Sequence, residues 1–256
     1  MIEKLQHITF TGVDGKTDLG RMYAIQEKYP LVEWGVLVAK NWRENGNRYF
    51  NPSYLSALAG TGLNLSAHMC GSIARAAVQG DINPFFDWSR GYCHMFNRCQ
   101  LNISTSKENP AIFKYERDIC DCFDEVILQQ KSVRDCGLYL ASQKHIIEEA
   151  REAGLTGLCA KIANDRITML LDASGGLGID TPIEVYPTLH KVGYAGGINA
   201  DNVAEKLEYL LTNKNVGDFW IDMESGVRTD DCFDLNKVEQ VLEICYGVLD
   251  KYDFPF

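Results

Sequence analysis

The feature that most constrains this chain is an alternation. Short runs of apolar and β-branched residues recur along it, and most are followed by a longer stretch with the spacing of an amphipathic helix. The runs are Leu5–Thr11, Val32–Lys40, Leu63–Cys70, Cys99–Ser104, Glu125–Gln130, Arg166–Asp172, Val192–Ala195 and Gly217–Asp222. Helical spacing is read at Asp18–Lys28, Ser53–Ala59, Ser72–Gln79, Ala111–Phe123, Leu138–Ala153, Val203–Leu211 and Leu235–Leu249. Strands buried on both faces and joined by crossover helices pair in parallel. About eight such units in 256 residues match a closed α/β barrel, the (β/α)8 TIM barrel. A doubly wound open sheet is the alternative.

No Pro/Gly/Ser-rich linker interrupts the pattern, so residues 1–256 are read as one barrel domain. Residues 81–97, which include DINPFFDWSRGYCHMF, are longer and more aromatic than a crossover needs. They fit a lid, a partner contact or cover for the barrel's side.

Composition excludes several classes of partner. A formal net charge of -10 argues against a nucleic-acid or membrane surface, both of which demand a basic field. The first residues lack a signal-peptide core, and no run of about 18 apolar residues is present, which predicts a soluble, cytoplasmic protein. The nine cysteines are odd in number and lack C-x-x-C pairs, so reduced thiols are expected. His68, Asp172 and Asp222 have no compact ligand spacing, and neither a metal nor another cofactor is predicted. The expected partner is a phosphorylated small molecule, and a homodimer is compatible with the reading.

In a barrel of this kind chemistry gathers at the carboxyl ends of the strands. That rule selects Thr11 and Asp14, the loop from Lys40 to Arg48, His68 and Cys70, Asn102, Gln129 and Gln130, Asp172, and the residues after the last two strands. Gly196-Gly197 and Ser225-Gly226 close those two strands. Backbone N–H groups without an obstructing Cβ suit phosphate oxygens, especially where a helix opens just beyond. A tight strand-to-helix turn would need glycine as well.

The segments YAGGINADNV (Tyr194–Val203) and FWIDMESGVRTDDCFDLNKVEQVL (Phe219–Leu242) resemble the end of the phosphoribosylanthranilate isomerase family. That family carries Gly-Gly-[LI]-Asn-x-[ED]-Asn-Val, then Asp-x-x-Ser-Gly-Val before its last helix. NRYFNP (Asn47–Pro52) resembles the family's Lys-Arg-x-[IV]-[ST]-Pro, and MLLDASGGLGID (Met169–Asp180) its sixth strand and glycine loop. The resemblance implies an Amadori rearrangement of a phosphoribosyl compound in tryptophan biosynthesis, an intramolecular oxidoreduction. It implies a phosphate site at Gly196, Gly197, Ser225 and Gly226, and Arg228, just beyond the last of these glycines, is within reach of the same phosphate. It also implies Arg48 as the grip on a carboxylate and Asp172 as the general acid.

Three departures accompany it. Thr11 stands where the family has its base, a cysteine, and a lone hydroxyl is far too weak an acid to be an anionic base near neutral pH. Asn102 stands where the family has histidine, and Arg228 where it has an acid. The candidate catalytic set is therefore Asp172, Thr11, Cys70 and His68. Arg48, Asn102 and Asp14 are candidates for binding the rest of the substrate. Each has a plainer reading: Cys70 as a buried inert thiol, His68 as a hydrogen-bonded barrel histidine, Asp14 as a helix cap, Arg48 as a surface ion pair, and Asp172 as a carboxylate holding loop amides. Glu224 is expected to point away from the phosphate. A non-catalytic barrel binding a phosphorylated metabolite or nucleotide is the alternative function. An aldolase, epimerase or phosphohydrolase using His68 and Asp172 is a third reading.

Overall fold

The computed structural model describes residues 4–44, 47–102, 122–131, 166–185 and 191–252. Eight parallel strands close into a barrel in chain order: β1 (Leu5–Thr11), β2 (Val32–Val38), β3 (Leu65–Met69), β4 (Phe96–Leu101), β5 (Glu125–Gln130), β6 (Ile167–Asp172), β7 (Lys191–Ala195) and β8 (Asp218–Met223). Closure runs through β1 and β8, where Ile8 pairs with Ile221 and Phe10 with Met223. The TIM barrel expected from the alternation is the observed fold.

The described helices are α1 (Leu19–Lys28), α2 (Leu55–Leu58), α3 (Gly71–Val78), α4 (Asn83–Ser89), α5 (Val203–Thr212) and α6 (Leu235–Lys251). Asp18 caps α1 by accepting from the Arg21 amide, and Asp234 caps α6 by accepting from the Asn236 amide. The expected helices Ala111–Phe123 and Leu138–Ala153 fall on residues outside those described, apart from Cys122 and Phe123, which are not helical. No helix among the described residues is long and apolar enough to cross a membrane.

The barrel interior is layered. Ile127, Leu170 and Trp220 form an apolar plug separate from the larger core between strands and helices. A methyl group at Gly193 would overlap the Trp220 ring, so a glycine on β7 makes the plug's room. On the amino-terminal side of the plug the Arg98 guanidinium lies 4.5 Å from the Trp220 ring centre. Its Nε is 3.0 Å from Glu33 Oε1 and its Nη1 3.6 Å from Glu125 Oε2, which Lys191 Nζ approaches to 2.5 Å. Thr9 and Thr168 donate hydroxyls to the same two carboxylates. Opposite charges and hydrogen bonds offset the desolvation that isolated ions would suffer there.

Two elements differ from the sequence reading. β4 begins at Phe96 and ends at Leu101, whereas Cys99–Ser104 was expected. Arg98 points into the barrel as an ion-paired side chain, which breaks the apolar run that marks the other strands. The helix expected at Ser53–Ala59 is a 3-10 turn, Pro52–Tyr54, capped by Asn51, leading into the four-residue α2. Proline fixes the first turn and Ala59 returns to extended backbone, so a long helix never propagates.

Within residues 81–97, α4 packs on the barrel's flank. Phe85 meets Trp88, Phe96 and Phe123 with ring centres 6.3, 6.1 and 5.5 Å apart. These rings lie away from the cavity described next.

Candidate active site

The carboxyl ends of the strands surround a cavity of about 560 Å³. Its floor is built by β1, β2, β3 and β8. Thr11 pairs in register with Gly35 on β2, and His68 on β3, two residues past Gly35's partner Ser66, reaches the same hydroxyl. The Thr11 hydroxyl lies 2.7 Å from Asp222 Oδ1 and 3.3 Å from His68 Nδ1. A methyl group at Gly35 would overlap Thr11 Oγ1 and approach His68 Nε2 to 3.1 Å. Gly35 is thus the space in which the hydroxyl and the ring meet.

Burial sets the protonation of this floor. His68 is 1% exposed, and its pKa falls to about 3 through desolvation and the nearby positive charge of Arg98. It is therefore a neutral imidazole. Its 4.0 Å separation from Asp222 Oδ2 is a contact between a dipole and a carboxyl group, not an ion pair. Asp222 is pushed up to about 8, chiefly by desolvation, with Glu224, Glu33 and Asp172 adding repulsion and the Thr11 hydrogen bond opposing. It holds a proton at neutral pH.

Asp172 lines the same cavity from the end of β6, one strand removed from β8. Its Oδ1 accepts from the Ser174 amide at 3.1 Å and the Ser174 hydroxyl at 2.7 Å. Its Oδ2 accepts from Gln129 Nε2 at 2.9 Å and the Gly176 amide at 2.6 Å. The carboxylate lines the cavity and organises the loop after β6 at the same time.

The β6 loop lies across the ends of β7 and β8. A methyl group at Gly197 would come within 2.6 Å of Asp180 Cα, and one at Gly178 would overlap Ser225 Oγ. Gly196 and Gly197 also have φ of +113° and +65°, where side chains are strained. The glycine pair therefore serves a sharp turn and a close loop crossing. Within the described residues, the amides of Gly196, Gly197 and Ser225 find no acceptor, although all three residues line the cavity. Lys131, immediately after β5, lies against Gly175 on the same side and makes no ion pair among the described residues.

Other predicted residues divide between the cavity and the frame. Cys70 lines the cavity, but burial pushes its thiol up to about 12, and its sulfur receives Asn102 Nδ2 at 3.3 Å. Asn102 also accepts from Gln100 at 2.8 Å. Arg48 lines the cavity with Nη2 2.5 Å from Glu224 Oε1. Glu224 thus faces the cavity, contrary to expectation, because Arg48 draws its carboxylate inward.

Asp14, Gly226 and Arg228 are not brought to the cavity. Asp14 accepts from the amides of Lys16 and Phe233 at 2.9 and 3.2 Å, which ties the β1 loop to the end of the chain. It does not cap α1, a task that falls to Asp18. Gly226 gives room to the Ile198 carbonyl. Arg228 donates to the Gly12 and Asn47 carbonyls at 3.0 and 2.5 Å, holding the β1 and β2 loops instead of a ligand. Lys40 is exposed and likewise lies outside the cavity.

The sequence reading passed over Lys131 and the union of Asp222 with Thr11. Lys131 carries a legible signal, since it is the first residue past the carboxyl end of β5. Closure of β8 onto β1 is the signal for Asp222. Among the described residues no group of three His, Cys, Asp or Glu side chains is arranged to hold a metal.

Neither a family model nor a curated protein matches the sequence. Among solved structures, the chain is similar to N-(5'-phosphoribosyl)anthranilate isomerase from Pyrococcus furiosus, with 14% identity and a TM-score of 0.52 over 94% of this chain and 99% of that one. Phosphoribosyl anthranilate isomerase from Thermococcus kodakaraensis gives 16% identity and 0.47, covering 96% and 99% of the two chains. 3-Hexulose-6-phosphate synthase from Salmonella typhimurium gives 12% and 0.47, covering 94% and 99%. The likeness at such identities is one of fold.

Proposed function

We propose that this barrel is an aldose–ketose isomerase of the Amadori type, acting on a phosphorylated sugar or a phosphoribosyl compound. The observation that carries the reading is the arrangement of the cavity. The amides of Gly196, Gly197 and Ser225, without an acceptor among the described residues, line one wall, and the carboxyl groups of Asp172 and Asp222 line the same cavity. Backbone amides without Cβ obstruction suit a phosphate, and Lys131, which makes no ion pair among the described residues, adds positive charge on that side. The reaction opens a sugar ring and moves a proton between neighbouring carbons, so it needs a proton donor and an acceptor held around one ligand.

Asp222 is the donor in this reading, because it keeps a proton at neutral pH while facing the cavity. Asp172, held by four hydrogen-bond donors at the end of β6, is the acceptor, one strand removed from Asp222 on β8. This exchanges the role that the resemblance implied for Asp172. Arg48, partly neutralised by Glu224 beside Ser225, lines the same cavity.

The test is isomer formation and proton–deuterium exchange with phosphoribosylanthranilate, with calorimetry following binding. Turnover by wild type, lost in Asp222→Asn with binding retained, is expected. Full turnover in Asp222→Asn would remove the assigned donor. A second reading, a non-catalytic barrel for a phosphorylated metabolite, is favoured by Thr11 at the family's base position and by the unreactive Cys70 thiol. Phosphate-dependent binding without exchange would select it.

A further inference from the structure

The floor of the cavity contains a proton-counting problem. The Thr11 hydroxyl has a single hydrogen and lies 2.7 Å from Asp222 Oδ1 and 3.3 Å from His68 Nδ1, which is a second acceptor when the ring carries its hydrogen on Nε2. It can donate to only one of them at a time. Thr11 and His68 are 2% and 1% exposed at the bottom of the cavity. Asp222, at 7%, is the member of the group that is most open to the cavity. Gly35, without a side chain, leaves the hydroxyl the room to turn.

We propose that His68 carries its hydrogen on Nε2 and that Thr11 is a two-position hydroxyl switch that positions the Asp222 proton, donating to His68 Nδ1 when Asp222 is protonated and to Asp222 when it is ionised. The inference rests on the proposed isomerase reading for its purpose, but its physical content belongs to the ligand-free protein. In the first position Asp222 donates its O–H to Thr11 Oγ1, and Thr11 donates onward to neutral His68 Nδ1. When the Asp222 proton passes to a ligand oxygen, the O–H electron pair stays on the carboxylate. The Thr11 hydroxyl then turns and donates to that anion. Both protonation states thereby keep a hydrogen bond, and His68 supplies the acceptor that the protonated state requires. Thr11 takes over the place of a base in the resembling family without itself becoming one.

The groups around Asp222 reinforce the first position. Glu33 on β2, Asp172 on β6 and Glu224 just after β8 all disfavour a second negative charge there, whereas Thr11 is the neighbour that stabilises it. His68 on β3 stays uncharged because Arg98 and burial oppose its protonation. The two partners of Thr11 should therefore act in opposite directions. Removing the hydroxyl removes the donor to the ionised carboxylate, and removing the imidazole removes the acceptor that favours the protonated carboxyl.

Infrared difference spectroscopy on the full chain without ligand tests this directly. A protonated carboxyl band is expected at pH 7, assigned by its loss in Asp222→Asn, and disappearing as pH rises through about 8. Thr11→Val should move that midpoint upward by about 1 to 2 pH units. Thr11→Ser, which keeps the hydroxyl, should restore it, and His68→Phe should move it downward. Absence of the band at pH 7 would overturn the proposal, as would equal midpoints in wild type and Thr11→Val. Should His68→Phe fail to fold, the Val and Ser pair still decides the matter. An intact titration in a protein that turns over no phosphorylated sugar would remove the isomerase reading and leave the switch in place.

Discussion

The Arg48 guanidinium lies 2.5 Å from the Glu224 carboxylate at the rim of the cavity, so each cancels much of the other's charge. Arg48 is 44% exposed and Glu224 25%, which makes the pair accessible to ions in solution. Substituting Glu224→Gln should release the guanidinium for an anion. Binding of inorganic phosphate is expected to tighten by roughly threefold at low salt and to converge with wild type at high salt. Calorimetric titration at the two ionic strengths checks this, and equal affinities at low salt would place the phosphate beyond Arg48's reach.

Asp222 should leave its mark on stability. Its ordinary value of 3.8 applies to the unfolded chain, whereas the folded protein keeps the proton up to about 8. Between those limits the native state binds one more proton, so rising pH favours unfolding. His68, neutral when folded, contributes in the opposite sense, losing stability as pH falls from 6.5 towards 3. The interval from about 6.5 to 8 is consequently free of the His68 effect. Across it, wild type is expected to lose about 1.4 kcal/mol per pH unit relative to Asp222→Asn in urea unfolding. Parallel pH profiles for the two proteins would show that Asp222 is ionised throughout.

Asp172→Asn should loosen the loop after β6 as well as alter chemistry. An amide nitrogen at this position would face one or more of the four donors that now converge on the carboxylate. Local opening should become easier by about 1–3 kcal/mol, read as faster amide exchange at Gly176 and Gly178. Unchanged exchange would mean that the loop is held by its glycine crossings alone. A loss of turnover in this variant therefore has two sources, and amide exchange separates them.

Much of the fold was legible because the barrel repeats one pattern. Leu5–Thr11 and Glu125–Gln130 were delimited to the residue, since each is a short apolar-rich run between polar turns. β4 was displaced because Arg98 is buried by ion pairing, and a charged residue inside a strand imitates a strand end in sequence. The site was legible as a set of strand ends but not as a set of partners. Thr11 and Asp222 are 211 positions apart, and only closure of the barrel makes them neighbours. Glu224 was misplaced because repulsion from an expected phosphate was weighed without the attraction of Arg48, a residue from another loop. Asp14 and Arg228 lie near the correct end of the barrel, yet their hydrogen-bonding capacity is spent on backbone groups that no sequence pattern identifies.

Gly35 carries a consequence for how this chain can change over evolutionary time. Any side chain there would collide with Thr11, whose Cα lies 2.9 Å from where the added methyl carbon would stand, and would crowd the His68 ring. Because the clash is with the backbone of residue 11 as well as with its hydroxyl, a smaller side chain at 11 or 68 would not by itself admit a larger residue at 35. Glycine at 35 is therefore a requirement set by how closely β1 and β2 approach there, and it holds whatever residue stands at 11.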